Sequence, residues 1–277
     1  MRFIMFTKML KEKSIDQLIA TAKEWGLDGY DLCVRPEYPV SPENALEEMP
    51  KAVAKMREAG LWIPMVTAPG DWTSPDMQYV PEVLEAMDKS DVRLLKLGYF
   101  RYMAEKDDYQ EKLLDCREIL RSWAPLARKH NIRILYHTHS NSYMGLNGAS
   151  LAHILEGMDP AVFGAYLDAG HMRAEGEDFT RAYGMLTPWL QAISVKDVRL
   201  DRVEVNGHGK VQNFWTTAGN GCVDWTAVFT WLHKKNWDKP ISIHCEFKCE
   251  PQDFEENARK EVAFFRKMDE MTASSAQ

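Results

Sequence analysis

The chain is 277 residues long, 45 % apolar and 27 % charged, which suits one large core and leaves too little chain for several ordinary domains. Its net charge of -7 and pI near 5.7 set up no field that gathers phosphate backbones, so nucleic acid is not an expected partner. The five cysteines, Cys33, Cys116, Cys222, Cys245 and Cys249, hold no CxxC pair, and neither a signal-like nor a membrane-length apolar run occurs, so no disulfide framework, zinc ribbon or membrane span is expected and the expected compartment is the cytoplasm.

Short apolar runs alternate with amphipathic stretches from end to end, the rhythm of repeated βα units. The predicted strands are "RFIMF" (2–6), "GYDLCV" (29–34), "WIPMVT" (62–67), "LLKLGYF" (94–100), "IRILYH" (132–137), "FGAYLD" (163–168), "AISVKD" (192–197) and "ISIHCEF" (241–247). The first helix, "SIDQLIATAKEWG", places Ile15, Leu18, Ile19 and Ala22 on one stripe, opens with a Ser14/Gln17 capping box and stops at Gly26. "YQEKLLDCREILRSWAPLARKH" is amphipathic through Leu113, Ile119, Leu120, Trp123 and Leu126. Residues 198–222 read as the longest irregular stretch, the kind of loop that serves a site in a compact domain. A last helix is expected over 252–270. Eight strands each followed by a helix predict an α/β fold, a single (β/α)8 TIM barrel over residues 1–271 with 272–277 a frayed tail.

Active sites of such barrels lie at the C-terminal ends of the strands. The polar residues there are His137 and His139 on strand five, Asp168 and then His171 on strand six, Ser194, Lys196 and Asp197 on strand seven, and His244 and Glu246 on strand eight. Side chains two apart on a strand share a face, so three of these pairs can point into the mouth together. Imidazoles with carboxylates suit zinc, manganese, iron or cobalt, or acid–base work. The competing reading is a hydrogen-bonded polar plug, although burying several such groups without a function is costly. Lys196 can meet a developing oxyanion, form a Schiff base, or simply pair with Asp197 or another carboxylate. Arg35 and Arg101, after strands two and four, can clamp a carboxylate or phosphate, or form surface salt bridges. Trp72, Tyr99, Tyr102, Tyr136 and Trp215 lie near strand ends and can stack on a sugar ring, whereas His130, His153 and His233 fall on helical patterns and His208 in a solvated loop. Gly207, Gly209, Gly219 and Gly221 read as loop punctuation, not a phosphate cradle.

In order along nearly the whole chain, "GLDGYDL", "HTHS", "LDAGH", "VKD", "GNGCVDW" and "IHCEF" resemble the xylose-isomerase-like TIM barrels, a superfamily of sugar isomerases and epimerases, hydroxypyruvate isomerase, inosose dehydratase and an apurinic-site endonuclease. The resemblance implies a divalent metal, manganese first and zinc, cobalt, magnesium or iron as alternatives, held by glutamate, aspartate, histidine and glutamate on strands five to eight. Asp168 matches the aspartate and Glu246 the last glutamate, while His137 stands where glutamate is usual and Ser194 where histidine is usual. The implied ligands are therefore His137, Asp168 and Glu246 with His139 as a substitute. His171, His244 and His139 would contact hydroxyls or move protons, Lys196 would steady negative charge, and Glu246 would share in catalysis. The implied function is a metal-dependent sugar or keto-sugar isomerase or epimerase working through an enediolate, with a lyase or dehydratase as the alternative. The partner is a small sugar, with no nucleic acid or membrane and a possible homo-oligomer; an apurinic-site endonuclease and a metal-free sugar-binding barrel are the readings from other classes.

Overall fold

The first turns follow the local chemistry. Ser14 and Gln17 form the reciprocal capping box at the start of α1 (Ile15–Trp25), and Gly26 closes it in the left-handed conformation at φ 73°. Leu18, Ala22 and Trp25 bury the inner stripe of that helix. In this computed structural model, which describes residues 1–273, the same logic repeats around a closed parallel barrel. The barrel strands in chain order are β1 (Phe3–Phe6), β2 (Gly29–Cys33), β3 (Trp62–Thr67), β4 (Leu94–Lys96), β5 (Arg133–His137), β6 (Phe163–Asp168), β7 (Leu190–Val195) and β10 (Ile241–Ile243), and β10 closes the ring against β1. Between β7 and β10 stands an antiparallel pair, β8 (Asp197–Val205) and β9 (His208–Thr216).

The barrel interior is layered. Ile4, Met65, Leu135, Tyr166 and Ala192 form an apolar plug, with Leu94 packed against it. Two residues further along each strand, and so on the same inward face, come Phe6, Thr67, His137, Asp168, Ser194 and Lys96. One step toward the C-terminal ends therefore turns the interior from apolar to polar, and this polar layer is the floor of the mouth. The main core lies outside the barrel, between strands and helices, with Trp123, Phe229 and Phe265 fully buried in it.

Four expectations change. Residues 198–222 are mostly the β8–β9 hairpin, turned by Asn206 and Gly207, both at positive φ (52° and 77°), the geometry of a two-residue type I′ turn. The segment from Tyr109 splits into α4 (Tyr109–Ser122) and α5 (Ala124–Lys129), because Pro125 cannot donate to the preceding turn and instead sits in the first turn of α5. β4 ends at Lys96 and β10 at Ile243, shorter than the apolar runs, so the mouth is reached by irregular chain. The last helix, α10, runs Phe254–Ala273. Residues 272–273 are thus helical, and 274–277 lie outside the described residues.

Candidate active site at the barrel mouth

A cavity of about 620 Å³ opens at the C-terminal ends of the strands, with His137, His139, His171, Lys196, His244 and Glu246 on its wall. Asp168, fully buried, lies behind that wall, with its Oδ2 3.5–3.8 Å from His137, Lys196 and His244. Its Oδ1 accepts the backbone N–H of His171 at 2.7 Å, and its Oδ2 accepts the Ser194 hydroxyl at 2.7 Å. Because that hydroxyl donates to Asp168, it accepts from Nε2 of His137 at 3.0 Å, and Nδ1 of His137 accepts from the Tyr99 hydroxyl at 3.1 Å. Tyr99, His137, Ser194 and Asp168 thus form one directed relay. Burial would raise the Asp168 carboxyl, but the Lys196 ammonium and the imidazoles of His171 and His137 outweigh it and hold the acid well below the usual carboxylate range.

Lys196 is the cation of the cluster. Its ammonium donates to Oε2 of Glu246 at 2.5 Å and to Nε2 of His171 at 2.8 Å, and stands 3.6 Å from Oδ2 of Asp168. Burial opposes its charge, but Asp168 and Glu246 prevail and hold it above the ordinary lysine value. The second oxygen of Glu246 accepts from Lys8 at 2.5 Å, so both oxygens face ammonium groups. Against the cost of burial, Lys196, with Lys8 adding to it, keeps Glu246 well below its usual range. Burial leaves the His171 imidazole well below the ordinary histidine value; because its Nε2 accepts from Lys196, its Nδ1 carries the ring proton and donates to the Ser140 hydroxyl at 2.8 Å. Trp215, carried in by β9, covers Lys196 with its ring centroid 4.6 Å from the ammonium.

Two sequence features that hold Lys196 in place become physical here. Gly170 of "LDAGH" passes so close that a Cβ there would lie 2.5 Å from the Lys196 carbonyl oxygen. Gly170→Ala is expected to displace Lys196 and to lower turnover by about 100-fold, as misplacement of a reacting group does; a kcat within severalfold of native would show the contact to be slack. Asp197 does not pair with Lys196. It turns away and accepts N–H groups from Val198, Gly219, Gly221, Val223 and the Trp225 indole, at 2.8–3.2 Å. A Cβ at Gly221 would lie 2.1 Å from Oδ1 of Asp197, so the glycines of "GNG" let the backbone wrap this carboxylate.

Behind that loop Glu261, on α10, is buried and accepts from the Ala218 N–H at 3.2 Å, and burial pushes its carboxyl up to about 8. The folded chain therefore keeps a proton that the unfolded chain releases near 4.5. The contribution of Glu261 to stability is full below that pH and falls as pH rises toward about 8, by on the order of a few kcal/mol. Glu261→Gln is expected to flatten the fall, read as Tm at pH 5 and pH 8.5. A variant that loses Tm as steeply as the native chain would remove Glu261 as its source.

The third unit joins β2, β6 and β10. The Tyr166 hydroxyl donates to Oδ2 of Asp31 at 3.1 Å, and so accepts from Nε2 of His244 at 2.9 Å. Nδ1 of His244 is then a bare lone pair. It is buried without a hydrogen-bond partner, 3.8 Å from Oδ2 of Asp168 and 3.7 Å from Oε2 of Glu246. Such an orphaned acceptor beside a carboxylate fits a cation. Among the described residues, one atom each from His137, Asp168 and His244 forms the only three-ligand group, all within 4.8 Å of one another, and His137 would join it through Nε2 only by moving its ring proton to Nδ1, toward the Tyr99 oxygen. This group differs from the set that the resemblance implies: His244 joins it, and Glu246 and His139 stand outside. His139 lines the cavity and donates from Nδ1 to the Ser140 carbonyl at 2.9 Å, which leaves Nε2 as the ring's acceptor, and burial lowers its imidazole to about 4.

Two charged members of the polar layer carried no weight in the sequence reading. Asp31, fully buried, accepts from Thr67 and Tyr166, and Lys96 is 3 % exposed on the cavity wall. Asp31 interrupts a fully buried strand and Lys96 interrupts the apolar run "LLKLGYF", and those interruptions are the signal that would have found them. Of the five aromatics near strand ends, Tyr99 lines the cavity and Trp215 covers Lys196. Trp72 and Tyr136 are buried, and Tyr102 packs on Tyr109.

Comparison with known proteins agrees with the fold. A family model described as "Xylose isomerase-like TIM barrel" matches residues 19–268. A protein named inosose dehydratase from Halalkalibacterium halodurans is 23 % identical over 229 residues, 75 % of this chain and 74 % of its own. Another of that name from Clostridium tetani is 23 % identical over 163 residues, 55 % of this chain and 54 % of its own. Among solved structures, a D-tagatose 3-epimerase-like protein superposes with TM-score 0.77 at 17 % identity over the full length of both chains. The 3-keto-D-glucoside 4-epimerase of E. coli gives 0.75 at 15 % identity, covering 96 % of this chain and 99 % of that one. Likeness at such identity carries the architecture, and the chemistry rests on the site itself.

Proposed function

The chain belongs to the xylose isomerase-like TIM barrel family, and on that premise we propose that it is an isomerase or epimerase of a sugar or keto-sugar, dependent on a divalent metal, that removes the proton next to a carbonyl. The observation that supports this most is the contact of Glu246 with Lys196 at 2.5 Å on the wall of a sugar-sized cavity, beside the ligand group of His137, Asp168 and His244. A metal held by those three would act as a Lewis acid on adjacent carbonyl and hydroxyl oxygens. Two imidazoles and one carboxylate suit zinc, iron or cobalt as well as manganese, and magnesium poorly.

The chain's own residues divide the remaining work. Glu246, kept ionised by its two lysines, takes the α-proton. Lys196, kept protonated by Asp168 and Glu246, stands where negative charge grows on the enediolate oxygen. His171 accepts from Lys196 and fixes its direction, and Nε2 of His139 is open to a substrate hydroxyl. Purified protein incubated with candidate ketoses and keto-inositols in deuterated water is expected to place deuterium beside the carbonyl, and a chelator is expected to stop it. No exchange with any candidate, in protein free of stoichiometric divalent metal, would end this reading.

The relatives named inosose dehydratase favour one variant of it. The same proton removal, followed by departure of a β-hydroxyl that takes a proton from Lys196 and leaves as water, would make the enzyme a dehydratase. Product mass separates the two: unchanged for isomerisation, lower by one water for elimination.

A further inference from the structure

Two halves of the mouth carry different charge patterns. On the β6, β7 and β10 side every cation has a partner: Lys8 and Lys196 share Glu246, and Lys196 also faces Asp168. Across the barrel, on β2 and β4, the pattern breaks. Lys96 ends β4, is 3 % exposed, and has no hydrogen bond and no ion pair among the described residues; its ammonium rests on the Tyr99 ring, 3.7 Å from the centroid. Arg35, just after β2, donates only to the Ala68 carbonyl and meets no carboxylate. Arg101 at the rim is likewise without an ion pair and lies over Tyr143. All three line the same cavity, where the one other carboxylate, Asp71, is exposed.

A buried lysine beside an arginine, with no carboxylate in contact and only the longer-range attraction of Asp31 and Glu246, is a costly arrangement, and proteins keep such charges only where something neutralises them. Burial and the nearby Arg35 guanidinium push the Lys96 amine well below the ordinary lysine value, and the attraction of Asp31 and Glu246 does not offset them, the expected behaviour of a cation with no carboxylate in contact. Strand order places β4 opposite β10, and β2 opposite β6. A sugar whose carbonyl faces Lys196 and Glu246 would therefore extend its far end toward Lys96 and Arg35.

We propose that Arg35 and Lys96, with Arg101 at the rim, form a subsite for an anionic group carried by the substrate, so that the sugar is a sugar acid or a sugar phosphate. This rests on the reading of the mouth as a sugar site, and it adds the charge of the substrate to it. A guanidinium can hold either anion through two parallel N–H groups, while the ammonium supplies a point charge.

Calorimetric titration of the purified protein with D-fructose, 5-keto-D-gluconate and D-fructose 6-phosphate tests it. At least one of the two anionic sugars is expected to bind about tenfold or more tightly than D-fructose, and whichever does so identifies the anion. Lys96→Met and Arg35→Met are each expected to lose most of that preference. Removing an unpaired buried ammonium should leave Lys96→Met at least as stable as the native chain, and Arg35 is only partly buried, so neither result depends on misfolding. Equal affinity for all three sugars, or an intact preference in both variants, would overturn the subsite and leave the sugar reading standing. If no sugar binds, titration with inorganic phosphate decides. Binding that Lys96→Met abolishes keeps the anion subsite and ends the sugar reading; no binding overturns the subsite.

Discussion

Asp168→Asn is expected to lower turnover by about a thousandfold or more while the barrel stays folded. The substitution preserves volume, and the amide oxygen can still accept the His171 N–H that caps the turn after β6. What disappears is the charge. Oδ2 takes the Ser194 proton at 2.7 Å and stands 3.5 Å from His137, 3.6 Å from Lys196 and 3.8 Å from His244. An amide nitrogen in its place meets the Ser194 hydroxyl as a second donor and reverses the relay back to Tyr99. Lys196 loses one of the two carboxylates that keep it protonated, and the ligand group of His137, Asp168 and His244 loses its only anion. Three readouts follow: kcat, thermal unfolding, and metal content by elemental analysis, with bound metal expected to drop below stoichiometric. A variant with activity within about tenfold of native would remove Asp168 from the centre of the chemistry.

Asp168 was legible because it ends a buried strand in a polar residue and is followed by a histidine one turn on. The same rule, applied evenly, would have exposed Asp31 and Lys96, since each is an inward charge in an apolar parallel strand. The barrel itself followed from eight apolar runs, and its polar floor from the two-residue period of those strands. His244 and Glu246 reach the mouth by another route: β10 stops at Ile243, and Cys245 takes a left-handed φ of 46°, so strand alternation does not govern where they point. Nor could spacing tell that Asp197 binds its own loop while Lys196 faces the cavity, because that division depends on the glycines of "GNG" folding back from beyond the hairpin. The hairpin was in fact written in the sequence. "VEVNGHGKV" is an Asn-Gly turn between alternating residues, obscured by the polarity of both strands, which are largely exposed. It delivers Trp215 to Lys196, so the segment does serve the site, as a strand and not as a loop.

The contact between Lys196 and Glu246 supplies the second large effect, and the two residues are expected to behave as a unit. Lys196→Met should lower kcat by about 10²- to 10⁴-fold, and Glu246→Gln by a similar factor. If one takes the proton while the other neutralises the resulting oxyanion, removing either disables the same step, and the double variant should be little slower than the slower single. Stability separates the two singles. Lys196→Met leaves Asp168 and Glu246 facing each other with their shared cation gone, a loss on the order of 3–5 kcal/mol for a buried pair broken on one side. Glu246→Gln is milder, since Lys196 retains Asp168 at 3.6 Å and Lys8 is exposed to solvent. Adding Glu246→Gln to Lys196→Met should therefore raise Tm above that of Lys196→Met alone, an increase that no additive scheme yields. Losses in kcat that multiply in the double variant would assign Glu246 and Lys196 to separate steps; a double variant less stable than Lys196→Met would mean that the carboxylate has another partner in the folded chain.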